Sequence, residues 1–130
     1  MSKFRVSCIQ TNTSTNIQKN ITNLEILIKK AKERKSTLVC LPECVGIMSS
    51  SKNELEEFCK KNLFLNFIYE VAKKFKIFIV VGSTVVKGGK EKFYNRSLVI
   101  NPKGKQICYY NKINLFDVII SKKEKYSESN

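Results

Sequence analysis

The chain has 130 residues, of which 42% are hydrophobic, and it carries a formal net charge of +13. This length falls within the usual size of one domain, and the apolar fraction is too high for a disordered chain. Such a charge would suit a nucleic-acid-binding protein, but only three of the 24 basic residues are Arg, the side chain that favours base readout. Because the lysines fall mainly on predicted helix faces and near loops, we expect solvated surfaces and no specific nucleic acid as a partner.

The cysteines and the N-terminus indicate the compartment. Five cysteines are present without a histidine or a C-x-x-C pair, so the usual zinc-ligand spacings are missing and we expect no metal. The N-terminal residues lack a signal-peptide apolar region, and the longest apolar run, IFIVV at 77–81, is too short to cross a bilayer. We therefore expect a cytoplasmic protein with free thiols and no membrane partner.

The first third of the chain predicts a strand, a helix and a second strand. Residues 4–10 alternate apolar and polar side chains, as a strand does, and residues 38–41 form a short apolar run that ends at Pro42. Between them, Thr15 and Gln18 fit a capping box at the start of a helix. The apolar face predicted for that helix consists of Ile17, Ile21, Leu24, Ile28 and Ala31.

The rest of the chain predicts a second helix and three more strands. Ser51 and Glu54 are predicted to cap the helix, and strands are expected over 77–82, 95–100 and 105–110. This order indicates a layered α/β fold. We expect the polar tail to leave the last strands unpaired, because nothing after residue 120 has the composition of a core element. The later apolar stripe of the second helix consists of Phe64, Phe67, Ile68, Val71 and Phe75.

Glu43 is the first candidate for chemistry. It follows an apolar strand and Pro42 in the string LVCLPEC, and α/β folds place their sites at the carboxyl ends of strands. Partial desolvation there would raise its pKa and suit it to act as a general base. The alternative is a loop glutamate in water, and the spacing alone does not decide between the two.

Lys112 is the second candidate, since it follows the strand string QICYY. An ammonium group there could stabilise a developing oxyanion. The alternative is a lysine at the end of a strand that reaches solvent. Asp117 and Glu128 are acidic residues that could hold such a lysine in place.

Taken together, these segments resemble the carbon–nitrogen hydrolase, or nitrilase, family. The matching strings are FRVSCIQ, LVCLPEC, IVVGS, YNRSLVINPKG and YYNKINLFDV followed by SES, in the family's order. LPE alone is a weak signal, whereas the combination is specific. The resemblance is to the amidase branch, which includes omega-amidases and deaminated-glutathione amidases, and it covers residues 1–130 as one carbon–nitrogen hydrolase domain.

The resemblance implies a reaction and a role for each candidate. Glu43 corresponds to the general base, Lys112 to the lysine that supports the oxyanion, and Glu128 to a second glutamate that orients the lysine and the reacting groups. The family reaction is attack by a cysteine on an amide or nitrile carbon, loss of ammonia, and hydrolysis of the resulting thioester. It implies a small amide substrate, no cofactor, and the amino-terminal part of an αββα sandwich whose full-length relatives associate as homo-oligomers.

Two departures from the family pattern affect these expectations. Asn114 stands where many relatives carry His, which we interpret as a tolerated change. The family nucleophile belongs to a string like ICYDLRFPE downstream of the lysine motif, and the chain ends before it. Cys108 precedes the lysine and is interpreted as a strand residue, and we expect none of the five cysteines to replace the nucleophile.

Three functions follow from these expectations. The first is an incomplete amidase that is inactive alone and could work only with a partner chain that carries the downstream half. The second is a truncated gene product without a function. The third, from a different class, is a basic nucleic-acid-binding protein, which tight and salt-dependent binding would reveal.

Overall fold

The computed structural model describes residues 4–89, 92–121 and 124–127, with side chains described as far as residue 116. The α/β class is confirmed, since a five-stranded sheet in the order β1-β2-β3-β4-β5 accompanies three helices. β1, β2 and β3 are parallel, whereas β4 and β5 continue the sheet in antiparallel fashion. In chain order the elements are β1 (Val6–Cys8), α1 (Ile17–Glu33), β2 (Leu38–Cys40), α2 (Lys52–Lys61), α3 (Leu63–Phe75), β3 (Phe78–Lys87), β4 (Phe93–Ile100), β5 (Gln106–Asn111), β6 (Asp117–Ser121) and β7 (Glu124–Ser127).

The two faces of the five-stranded sheet differ in burial. Val39, Ile79 and Ile100 are register partners on adjacent strands, and all three are fully buried in the core that the helices complete. Successive strand residues point to opposite faces, so the neighbouring row lies on the other side. In that row Val6 and Phe78 remain 43% and 39% exposed. The helical contribution to the core consists of Leu24, Ile28, Ala31, Phe58, Phe64, Ile68, Val71 and Ala72.

The start of α1 differs from the prediction. Asn16, and not Thr15, is the N-cap, and its side-chain oxygen accepts a hydrogen bond from the Lys19 backbone N–H at 2.9 Å. Asn is as good an N-cap as Ser or Thr. The choice between them depends on the preceding loop, in which the buried side chain of Asn20 binds the backbone of Ser14. The predicted capping box at Thr15 is therefore wrong by one residue.

The predicted second helix is two helices. Ser51 caps α2 as predicted, because its side chain accepts from the Glu54 backbone N–H. The helix then ends at Asn62, which has a left-handed backbone with φ 51°, and α3 begins at the next residue. Asn adopts this conformation more readily than most residues. The apolar stripe that was predicted for the later part of this segment belongs to α3.

The tail contains two strands that the sequence analysis did not predict. β7 pairs with β6 in antiparallel fashion, with Val118 opposite Tyr126, and the two form a separate two-stranded sheet. This sheet does not join the five-stranded one, so among the described residues the last predicted strand, β5, gains no partner from the tail, as expected.

Candidate active site

Glu43 and Lys112 are brought together from distant parts of the chain. Glu43 lies three residues after the end of β2, and Lys112 directly follows β5. Lys112 Nζ donates a hydrogen bond to Glu43 Oε1 at 3.0 Å across 69 residues of sequence. The side chains remain 57% exposed for Glu43 and 31% exposed for Lys112, so the pair stays accessible to a small molecule.

Asn95 is the third member of this site. Its side-chain Nδ2 donates to Glu43 Oε1 at 2.9 Å, and its backbone carbonyl accepts from the Lys112 backbone N–H at 2.8 Å. It therefore contacts both candidates, one through its side chain and the other through its backbone. Sequence reasoning included Asn95 only as part of a motif and gave it no role. The available signal was the amide of Asn95 in the motif string YNRSLVINPKG.

The pKa of Glu43 is shifted in the opposite direction to the one predicted. The hydrogen bond from Lys112 is the main cause, and it lowers the pKa of the carboxyl below its usual value. Burial raises the pKa but has a smaller effect, and the Asn95 amide lowers it further. The prediction of a desolvated carboxyl with a raised pKa was wrong because the carboxylate is half exposed and paired with a cation. Glu43 is consequently a carboxylate at neutral pH and able to accept a proton.

The structure describes only some of the remaining candidates. Glu128 falls outside the described residues, and the side chain of Asp117 does as well. Cys108 is an exposed residue of β5 opposite Val99. It precedes Lys112 by four residues of nearly extended chain, roughly 13 Å. Cys44 is the thiol next to the pair, with Sγ at 4.0 Å from the side-chain nitrogen of Asn95.

The described residues show neither a metal cluster nor a membrane span. Within them, no group of three or more His, Cys, Asp or Glu side chains could hold a metal ion. No helix in the same part of the chain is long and apolar enough to cross a bilayer.

A carboxylate that can accept a proton, beside an ammonium that can stabilise negative charge, is the pairing expected of a hydrolytic or acyl-transfer site. Comparison with known proteins agrees with that class. The model of the carbon–nitrogen hydrolase family matches residues 5–130. The chain belongs to the carbon–nitrogen hydrolase family.

Its relatives include amidases. A deaminated glutathione amidase from Dictyostelium discoideum is 30% identical over 135 residues, which cover 96% of this chain and 46% of the relative. The omega-amidase NIT2-B of Xenopus laevis is 31% identical over 131 residues, which cover 99% of this chain and 47% of the relative. The chain thus spans about half the length of the curated relatives that it matches.

Solved structures support the same fold. The NitFhit protein of C. elegans matches with a TM-score of 0.85 and 27% identity, over 95% of this chain and 31% of that protein. Nit3 of Saccharomyces cerevisiae, a member of the nitrilase superfamily, matches with a TM-score of 0.74 and 26% identity, over 86% of this chain and 45% of Nit3.

Proposed function

We propose that this chain supplies the general base and the oxyanion-stabilising lysine of an amidase that hydrolyses the C–N bond of a small amide. The observation that carries the proposal is the hydrogen bond from Lys112 Nζ to Glu43 Oε1. It joins the two residues that the family resemblance assigned to catalysis. Two of the relatives are named as a deaminated glutathione amidase and an omega-amidase, which supports a small amide as the proposed substrate class.

Each charged group has a separate part in the proposed reaction. Glu43, ionised because Lys112 lowers its pKa, takes the proton of a thiol as the sulfur bonds to the amide carbon. The Lys112 ammonium stabilises the oxyanion that forms on the carbonyl oxygen. Glu43 then returns the proton to the departing nitrogen, ammonia leaves, and a thioester remains. Finally, water attacks the thioester with Glu43 again as the base, and the carboxylic acid and the free thiol are released.

The hydrogen bonds at Glu43 indicate which oxygen takes the proton. Among the described residues, the bonds from Asn95 and Lys112 both end on Oε1. Oε2 is therefore the oxygen that we assign to the thiol. Asn95 would hold the carboxylate so that Oε2 keeps one orientation through both halves of the reaction.

We propose that the attacking thiol comes from a sequence that these 130 residues do not contain. That sequence could belong to the same protein or to a partner chain, and it would complete a small-amide site that is inactive without it. Cys44 adjoins the pair, but it precedes Lys112 in the chain and does not match the family's nucleophile. Glu128 is proposed as the residue that orients Lys112.

The test is a fusion of this chain to the nucleophile-bearing half of an amidase relative, assayed by ammonia release from omega-amides and short aliphatic amides. We expect no release from the chain alone and release from the fusion. In the fusion, Glu43→Gln or Lys112→Met should each reduce the rate by about 10²-fold or more.

Matched controls come from another glutamate–lysine pair. Glu57 and Lys61 form an exposed i,i+4 ion pair on α2 at 2.6 Å, and their Gln and Met variants should leave the rate unchanged. The proposal fails if a folded, active fusion is indifferent to Glu43→Gln. It also fails if the chain alone releases ammonia after all five cysteines have been replaced.

A further inference from the structure

We propose that an irregular step in β3, at Gly82 and Ser83, is the positioning element that aims Glu43 at Lys112. The pairing register between β3 and β4 shifts between Val81 and Thr84. Such a bulge turns backbone groups away from the regular ladder and occurs preferentially beside active sites. Here the released groups bind the segment 41–45 that carries Glu43.

The backbone of the bulge forms hydrogen bonds with this segment on both sides of Glu43. Before it, the N–H groups of Gly82 and Ser83 donate to the carbonyls of Leu41 at 3.1 Å and Pro42 at 3.3 Å. After it, the Val45 N–H donates to the Ser83 carbonyl at 3.0 Å. Glu43 is thus held between two anchored points, although β2 ended at Cys40.

The side chain of Ser83 adds a further contact through its hydroxyl oxygen. Its Oγ accepts a hydrogen bond from the Cys44 backbone N–H at 2.9 Å, and the residue is buried. Cys44 has a left-handed backbone with φ 50°, which is unfavourable for a residue with a side chain. The bond therefore holds the residue after Glu43 in a conformation that the isolated segment would seldom adopt.

Gly82 provides the close approach that these bonds need. A Cβ at this position would lie 2.6 Å from the carbonyl carbon and oxygen of Pro42, and closer still to the carbonyl oxygen of Leu41. The carbonyl of Gly82 also accepts from Ser97 Oγ on β4. The bulge is consequently tied to the strand that carries Asn95, the partner of Glu43.

The consequence for catalysis rests on the proposed function of Glu43, whereas the geometric role can be tested without turnover. If the bulge aims Glu43, loosening it should weaken the bond to Lys112. The pKa of the carboxyl reports that bond, because Lys112 is the main cause of its lowered value.

The experiment measures the Glu43 carboxyl titration by ¹³C NMR in the 130-residue chain, with Glu43→Gln identifying the signal. The Lys112→Met variant gives the Glu43 pKa in the absence of the ammonium group. We expect Ser83→Ala to raise the Glu43 pKa from the wild-type value towards that of Lys112→Met. Thr84→Val is the matched control, since the neighbouring hydroxyl is buried without a hydrogen-bond partner in the described part of the chain. It should leave the Glu43 pKa unchanged.

Two outcomes would overturn the proposal. One is a folded Ser83→Ala variant whose Glu43 pKa equals that of the wild type. The other is a shift of the same size in Thr84→Val, which would show a general effect of core substitution. If Ser83→Ala does not melt cooperatively, Ser83→Cys keeps the size of the side chain with a weaker acceptor and must raise the pKa in the same direction. An inactive fusion with a shifted pKa would refute the proposed reaction and leave the positioning role intact.

Discussion

Substitution of Gly82 by alanine should displace the segment that carries Glu43. The new Cβ would lie 2.6 Å from two Pro42 backbone atoms, whereas carbon atoms pack best at 3.5–4.0 Å, so the segment must move by roughly 1 Å. Backbone atoms cannot avoid the contact by changing a rotamer. The cost of such overpacking is about 1–3 kcal/mol of the free energy of unfolding.

The same movement has a functional consequence. The bond from Lys112 to Glu43 measures 3.0 Å, and an added separation of roughly 1 Å would take it beyond hydrogen-bond range. In an active fusion, a misplacement of this size should reduce kcat/KM by about 10²-fold. Urea unfolding followed by circular dichroism measures the stability effect, and ammonia release measures the rate.

Gly89→Ala is the control for this prediction, since a Cβ there would meet no atom of the described residues within 4 Å. We expect its free energy of unfolding to stay within about 0.5 kcal/mol of the wild type. The reasoning is refuted if Gly82→Ala is as stable as Gly89→Ala and its Glu43 pKa is unchanged.

Three further predictions concern other parts of the chain. The wild type should be more stable than Glu43→Gln at any pH above the ordinary carboxyl pKa, because Lys112 binds the ionised carboxylate. This advantage should be lost as the pH falls through the lowered pKa of the folded state, and urea unfolding across pH measures it. Asn20→Ala should cost about 1–3 kcal/mol by the same assay, since the buried amide donates to the Gly46 carbonyl at 3.1 Å. Iodoacetamide should modify the exposed Cys8 well before Cys59, because burial raises the pKa of the Cys59 thiol; mass spectrometry gives the order.

Each of these predictions has a result that contradicts it. If the difference in the free energy of unfolding between the wild type and Glu43→Gln grew on acidification, Lys112 would not be stabilising the carboxylate. For Asn20, the matched variant is Asn23→Ala on the same helix, and equal losses would show that the contact to Gly46 is unimportant. Modification of Cys59 before Cys8 in the folded chain would show that its thiol is not protected.

Local patterns in the sequence were sufficient for much of the fold. Hydrophobic periodicity located α1, α3 and the five strands of the main sheet, since the spacing of apolar residues shows which face of an element is buried. The capping role of Ser51 was also predictable, because a cap involves residues only three apart. The break at Asn62 was missed, as a single left-handed residue leaves the apolar periodicity on both sides unchanged.

The candidate site depended on more than local patterns. The order of motifs in the sequence selected Glu43 and Lys112, but nothing in either motif specified that they would share a hydrogen bond. The role of Asn95 and the direction of the Glu43 pKa shift were available only from the structure. The pKa shift depends on a cation that lies 69 residues from Glu43 in the chain, and the role of Asn95 depends on a contact across 52 residues.

The sequence by itself therefore determined the α/β class and the main elements, because these follow from hydrophobic periodicity, and its resemblance to the family selected Glu43 and Lys112 as candidates. Tertiary structure alone decided how β3 bulges at Gly82 and Ser83 and thereby where Glu43 points. The physical reason is that a carboxylate's pKa and orientation are set by the atoms around it. At Glu43 those atoms come from β3, β4 and the end of β5, which only folding brings together.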